Sequence, residues 1–175
     1  MLTDILAMTT APSSACAIQK FDCVAALDRF VGQPAIASAP LLIEQEMINR
    51  FAHVTHDNQW IHVDPERAKT QSPSQHTIAH GFLVLSLLTY WQTSCMAFPG
   101  AVMALNYGFD KIRFTAPVLA GSRVSASFAL TQVTETKPAH ARCTWEVTVN
   151  AENAPRPSVY AEWHILVQYE DGEAT

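Results

Sequence analysis

Charge is scarce in this sequence: Asp, Glu, Lys and Arg make up 15% of it and apolar residues 49%, against a charged share of roughly 25% in an average globular chain. A surface so poor in charge is expected to be hidden in part against another copy of the chain. Positive charge is scarcer still, with 11 Lys and Arg against 16 Asp and Glu, a net charge of −5 and no basic run. That balance excludes nucleic acid as a principal partner, and an anionic ligand would need a local basic patch.

The four cysteines, Cys16, Cys23, Cys95 and Cys143, form no Cys-x-x-Cys pair, and a single domain of this length needs no disulfide staples. They are read as reduced, in a cytoplasmic protein. The first seventeen residues carry Asp4 and no Lys or Arg, so the positive region of a secretory signal is missing. The most apolar run, from Phe82 to Trp91, falls well short of the roughly twenty residues that cross a bilayer, so no membrane association is expected. Neither a Gly-x-G-x-x-Gly loop nor a phosphate-binding Gly-Lys-Ser/Thr loop occurs, which leaves no signature for a dinucleotide or nucleotide triphosphate. The chemistry is expected to need no cofactor.

What is present begins after a leader, residues 1–20, expected to be flexible. Residues 21–170 read as one domain and 171–175 as a tail. A short helix is expected over 22–31, a strand over 41–43, and an amphipathic helix over 44–54, where Ile43, Met47, Phe51 and Ile48, Ala52 recur at helical spacing. Asp64-Pro65-Glu66 is a helix start, with an N-cap carboxylate and Pro at the first helical position. Residues 79–96 leave no clean polar face, which predicts a helix buried on all sides. Strands then follow over 101–109, 111–116, 123–136, 142–150 and 158–169. Their alternation is clearest where Cys143, Trp145, Val147 and Val149 oppose Thr144, Glu146 and Thr148. One buried helix against an antiparallel sheet makes an α+β domain.

Two segments carry candidate chemistry. In Asp57-Asn58-Gln59-Trp60-Ile61-His62 a turn can bring a carboxylate and an imidazole to one mouth, although an Asp in a turn also serves simply to bond its own backbone. In Thr77-Ile78-Ala79-His80-Gly81, the glycine opens the apolar helix, so its N–H lacks an intrahelical partner and a ligand oxygen can approach. Gly81 equally allows close packing of the helix. His80 reads as a packed or hydrogen-bonded ring beside the substrate, and Trp60 as a shield for the site or a core residue. His53, His56, His62, His76 and His80 are crowded together, yet their spacing fits no familiar metal site. No metal is expected. A serine nucleophile lacks its Gly-x-Ser-x-Gly elbow, and Cys95 has no activating partner.

Taken together, Phe51 to Pro65, Thr77 to Leu87, Asn106-Tyr107-Gly108 and Lys111-Ile112-Arg113-Phe114 before Pro117-Val118 resemble the MaoC-like dehydratases, most nearly the branch typified by nodulation protein N. The likeness runs from about Asp22 to Val167. It implies the hotdog fold, an antiparallel sheet wrapped around a long central helix, and an activity like that of the (R)-specific enoyl-CoA hydratases. By position, Asp57 would orient and deprotonate water for attack on C3, His62 would hold that water and protonate C2, and the Gly81 N–H would polarise the thioester carbonyl. Burial behind Trp60 would tune the pair. Asn106 matches a substrate-side polar group. The family commonly pairs sheets edge to edge, so a homodimer acting on an acyl-CoA thioester is implied.

Two departures stand out. Relatives often read Thr-Gly-Asp where this chain has Thr55-His56-Asp57. They tend to read Ser-Pro-Phe-Gly-Gly-Thr where it has Ser72-Pro73-Ser74-Gln75-His76-Thr77. An acyl-CoA thioesterase and a catalytically weak acyl-thioester binding protein therefore stay open as alternatives.

Overall fold

The computed structural model describes residues 18–170; most of the expected leader and the tail at 171–175 lie outside that range. Gln19–Lys20, within the expected leader, form strand β1, parallel to β4, Met96–Ala97. Between them in sequence come helix α1, Val24–Phe30, the short strands β2, Ile36–Ala37, and β3, Leu41–Leu42, and helix α2, Gln45–Thr55. Helices α3, Trp60–Val63, α4, Pro65–Gln71, α5, Gly81–Ser86, and α6, Leu88–Cys95, lead on to β4. The long strands are β5, Ala101–Phe114, β6, Arg123–Lys137, β7, His140–Ala151, and β8, Val159–Tyr169.

Period-two alternation places the sheet. Cys143, Trp145, Val147 and Val149 are all 0% exposed, and Val159, Ala161, Trp163, Ile165 and Val167 form the matching inner row of β8. The main sheet runs β2-β6-β7-β8-β5, with β3 also paired to β6. Its long neighbours β6, β7, β8 and β5 are antiparallel throughout. The two strands expected over 101–109 and 111–116 are one strand, β5, kept continuous by register shifts that include one between Phe109 and Lys111. Such bulges let a strand bend without leaving the ladder.

The central helix lies across the inner face with Leu83, Val84, Leu88, Trp91 and Cys95 in the core. It is two helical segments joined at Leu87, whose N–H is shared between the carbonyls of Leu83 and Val84, at 3.3 Å each. The expectation of burial on all sides fails here: Phe82 is 67% and Tyr90 52% exposed, on a face that also carries Ser86, Thr89 and Thr93. In other respects this is the wrapped-helix architecture of the hotdog fold.

The chain reaches Asp57 through an unusual residue. His56 closes α2 in the left-handed region, at φ 60° and ψ 16°, where glycine sits without penalty and other L-residues incur roughly 1–2 kcal/mol. Gln75, in the second altered segment, likewise has φ 57°. Both departures thus put a side chain where the backbone favours glycine. His56→Gly is expected to raise unfolding stability by about 1 kcal/mol, read as a higher urea midpoint at unchanged slope; an unchanged or lower midpoint would show that the His56 ring compensates the strain.

Candidate active site

Two turns meet at the start of the central helix. The first is α2-His56-Asp57 running into α3; the second is the segment 77–80 running into α5. Ile78 joins them: its N–H donates to the Ile61 carbonyl at 3.0 Å, and its own carbonyl accepts from Nδ1 of His62 at 2.7 Å. The second turn is in turn laid on the sheet connection, through Ala79 N–H to the Val118 carbonyl at 2.8 Å and Ala120 N–H to the Thr77 carbonyl at 3.0 Å. Downstream, Asp64 caps α4 as its sequence predicts, accepting from the Arg67 N–H at 2.9 Å.

Gln45, which sequence reasoning passed over, locks the same junction. Its side chain donates to the His62 carbonyl at 2.7 Å and to Asn49 at 2.9 Å, and accepts from the buried Thr77 hydroxyl. A single glutamine thus ties α2, α3 and the turn before α5. Nothing local marks it, because its partners stand 17 and 32 positions away.

His62 and His80 are buried, at 7% and 3% exposure, and their rings stack with centroids 3.8 Å apart and planes inclined by 25°. A carbonyl can only accept, so His62 carries its proton on Nδ1 and its Nε2 lone pair is left for a ligand. His80 donates from Nε2 to the Asp57 main-chain carbonyl at 2.9 Å. Burial holds the His62 imidazole below its ordinary range; the carbonyl of Ile78 opposes that shift, His80 adds to it, and Asp57 opposes it. His62 is therefore neutral near pH 7, a base rather than an acid.

A carboxylate oxygen of Asp57 and ring nitrogens of His62 and His80 lie within 4.8 Å of one another, which leaves room for a water molecule to bridge carboxylate and imidazole. The sequence expectation of convergence is met in that respect. The expected shield is not: the Asp57 side chain is 55% exposed, and Trp60 instead lies under the Arg67 guanidinium, 4.4 Å from its ring centre. Burial therefore acts on the imidazole, while the carboxylate is open to solvent.

His62 and Gly81 share the wall of a cavity of about 290 Å³ with Ile78, Val84, Phe114 and Ser158. Asp57 is not part of this wall and reaches the imidazoles from the exposed turn. Gly81 is required sterically: a Cβ there would meet the Phe114 ring at 2.9 Å. The packing reading of this glycine is thus visible in the fold, and its position as the first residue of α5, with no side-chain cap from His80, keeps its N–H suited to a ligand oxygen. Ser158 is 1% exposed and its hydroxyl has no hydrogen-bond partner; no motif pointed to it. Asn106 is not brought to this cavity. It lines a second one of about 230 Å³ along the central helix, with Phe82, Ser86, Thr89 and Trp163.

Two imidazoles and a carboxylate are donors that suit a divalent transition metal, but rings in face contact aim their lone pairs along nearly parallel planes and not at a common point. The other such cluster among the described residues, Asp110, Glu162 and His164, has Lys111 bound to Glu162 at 2.8 Å, a cation already in place. Thiol chemistry finds no support: burial pushes the Cys143 thiol up to about 12, and Cys95 is buried with its sulfur donating to the Trp91 carbonyl at 3.2 Å.

Known proteins resemble this chain in sequence and in fold. The family described as MaoC like domain matches residues 27–152. Nodulation protein N of Rhizobium meliloti (strain 1021) is 44% identical over 140 residues, 79% of this chain and 87% of its own. The 3-hydroxyacyl-thioester dehydratase Z of Mycobacterium tuberculosis (strain CDC 1551 / Oshkosh) is 41% identical over 145 residues, 83% of this chain and 95% of its own. Among solved structures, R-Hydratase PhaJ1 from Pseudomonas aeruginosa in the unliganded form superposes with a TM-score of 0.63 at 26% identity, covering 85% of this chain and 86% of that one.

Proposed function

Because this chain belongs to the MaoC-like dehydratase family, we propose that it is an (R)-specific enoyl-CoA hydratase, adding water to a trans-2-enoyl thioester to give the (3R)-3-hydroxyacyl thioester. The observation that carries this reading is the approach of the Asp57 carboxylate to a neutral, buried His62 beside Gly81. Relatives named as a 3-hydroxyacyl-thioester dehydratase and an R-hydratase support it.

The roles differ in one respect from those the resemblance implies. His62, with its Nε2 lone pair free, accepts a proton from the water as the water oxygen bonds C3, and returns that proton to C2. Asp57, exposed to solvent, accepts the water's second hydrogen bond and stabilises the imidazolium that forms. The Gly81 N–H bonds the thioester oxygen as charge moves onto it. Water loses one proton to carbon and leaves its hydroxyl on C3, so the step balances without a cofactor. Asn106 is read as a polar contact of the neighbouring cavity and not of the reacting atoms.

The chain is further read as a cytoplasmic homodimer. The free thiols of Cys23 and Cys143 support a reducing setting. Among the described residues strand β5 is the edge of the main sheet and exposes Val102, Met103, Leu105 and Tyr107, with the bared Phe82 against its Phe114. An edge so long and apolar is a hazard unless paired, and antiparallel pairing with the same strand of a second copy satisfies it with a two-fold axis.

In a crotonyl-CoA assay that follows enoyl absorbance and free thiol together, absorbance is expected to fall without thiol release; thiol release would favour a thioesterase, and no change a binding protein. Asp57→Asn and His62→Ala are each expected to slow hydration at least about a hundredfold while leaving the fold intact, and wild-type rates in both would remove the mechanism. Sedimentation at micromolar concentration is expected to read a dimer, with a monomer as the contrary result.

A further inference from the structure

We infer that His80 is a positioning residue: through its hydrogen bond to the Asp57 carbonyl and its stack on the His62 ring, it fixes the carboxylate and the imidazole relative to each other. The inference rests on the reading of Asp57 and His62 as the reacting pair. It takes up the reading of His80 as a hydrogen-bonded ring, with its contacts made to Asp57 and His62.

The turn that carries Asp57 is otherwise loosely held. His56, Asp57, Asn58 and Gln59 are all exposed, and among the described residues the bond from His80 Nε2 is the one hydrogen bond that ties Asp57 to the core. The donor is itself rigid. Its ring packs against Phe51 of α2, 5.1 Å away between centroids, and stacks on His62, 3.8 Å away, contacts that restrict its rotation before that bond forms. One side chain therefore touches the base through a ring face and the carboxylate through its main chain.

A packed core ring alone does not account for an imidazole here. Nδ1 of His80 is buried and has no partner, a cost that a phenyl ring in the same stack would avoid. What the imidazole adds over phenyl is the Nε2–H donated to Asp57. The metal alternative is opposed by the same stacking, and the side-chain approach of Asp57 Oδ2 to Nε2, at 3.9 Å, is too long for a hydrogen bond.

Two variants separate the parts. His80→Phe keeps the ring and removes the donor; His80→Gln offers a donor and removes the ring. For His80→Phe, amide hydrogen exchange at His62 and Asp64, whose N–H groups bond the carbonyls of Gln59 and Trp60 at the end of this turn, is expected to accelerate, and kcat for enoyl-CoA hydration to fall about tenfold to a hundredfold with KM nearly unchanged. His80→Gln is expected to restore most of the amide protection and part of kcat. Unchanged exchange in His80→Phe overturns the inference, as does a raised KM at unchanged kcat, which would make His80 a substrate contact. Failure of both variants to fold would assign the residue to the core and overturn it equally. A wild-type protein that hydrates nothing would sink the hydratase reading, while the exchange measurement would still decide whether His80 holds the turn.

Discussion

The hydrogen bond from Nδ1 of His62 to the Ile78 carbonyl, 2.7 Å long, is the constraint on which the site depends. It fixes one tautomer of the imidazole and so decides which nitrogen can meet a ligand. It also ties α3 to the segment that opens α5, a junction doubled by the Ile78 N–H to Ile61 and braced by Gln45. Around this bond burial does the electrostatic work: a neutral imidazole is favoured over its charged form, while the exposed carboxylate keeps its water. A base and an anion of different environments then share one small region, an arrangement suited to moving a proton from water to carbon and back.

The fold serves that junction. The sheet and the central helix form a rigid floor through Trp145, Trp163, Leu88 and Trp91; the second turn is hung on it by main-chain bonds to residues 118 and 120, and α3 after the first turn is joined to the second through the Ile78 N–H and the Ile61 carbonyl. Main-chain attachment leaves the turn sequences free to vary. That freedom explains how His56 and Gln75 can occupy positions with positive φ, at some local strain, without displacing His62. Close approach constrains Gly81 instead, because the Phe114 ring fills the space of any Cβ.

Much of this was legible in the residues. Alternation in β7 and β8 gave the inner rows of the sheet, Asp64-Pro65 gave the start of α4, and the resemblance carried by Asp57, His62 and His80-Gly81 gave the family. What stayed hidden was long-range. Gln45 and Ser158 are ordinary residues whose importance comes from partners or cavities assembled by the fold, and the bulges that join two expected strands into β5 leave no compositional mark. Exposure was misjudged for a related reason: hydropathy read the central helix as buried all round, although Phe82 and Tyr90 lie bare on the single chain. The same patterning cannot tell a residue covered by its own chain from one kept for another copy.

Of all the steps, the protonation state of His62 bears most directly on the mechanism. Nitrogen-15 spectra of the imidazoles, recorded as a function of pH, report both the tautomer and the titration of that ring. The account predicts a neutral His62 with its proton on Nδ1 at pH near 7 and a midpoint below the ordinary 6.5. A ring protonated on Nε2 alone, or an imidazolium that persists above that value, would contradict it.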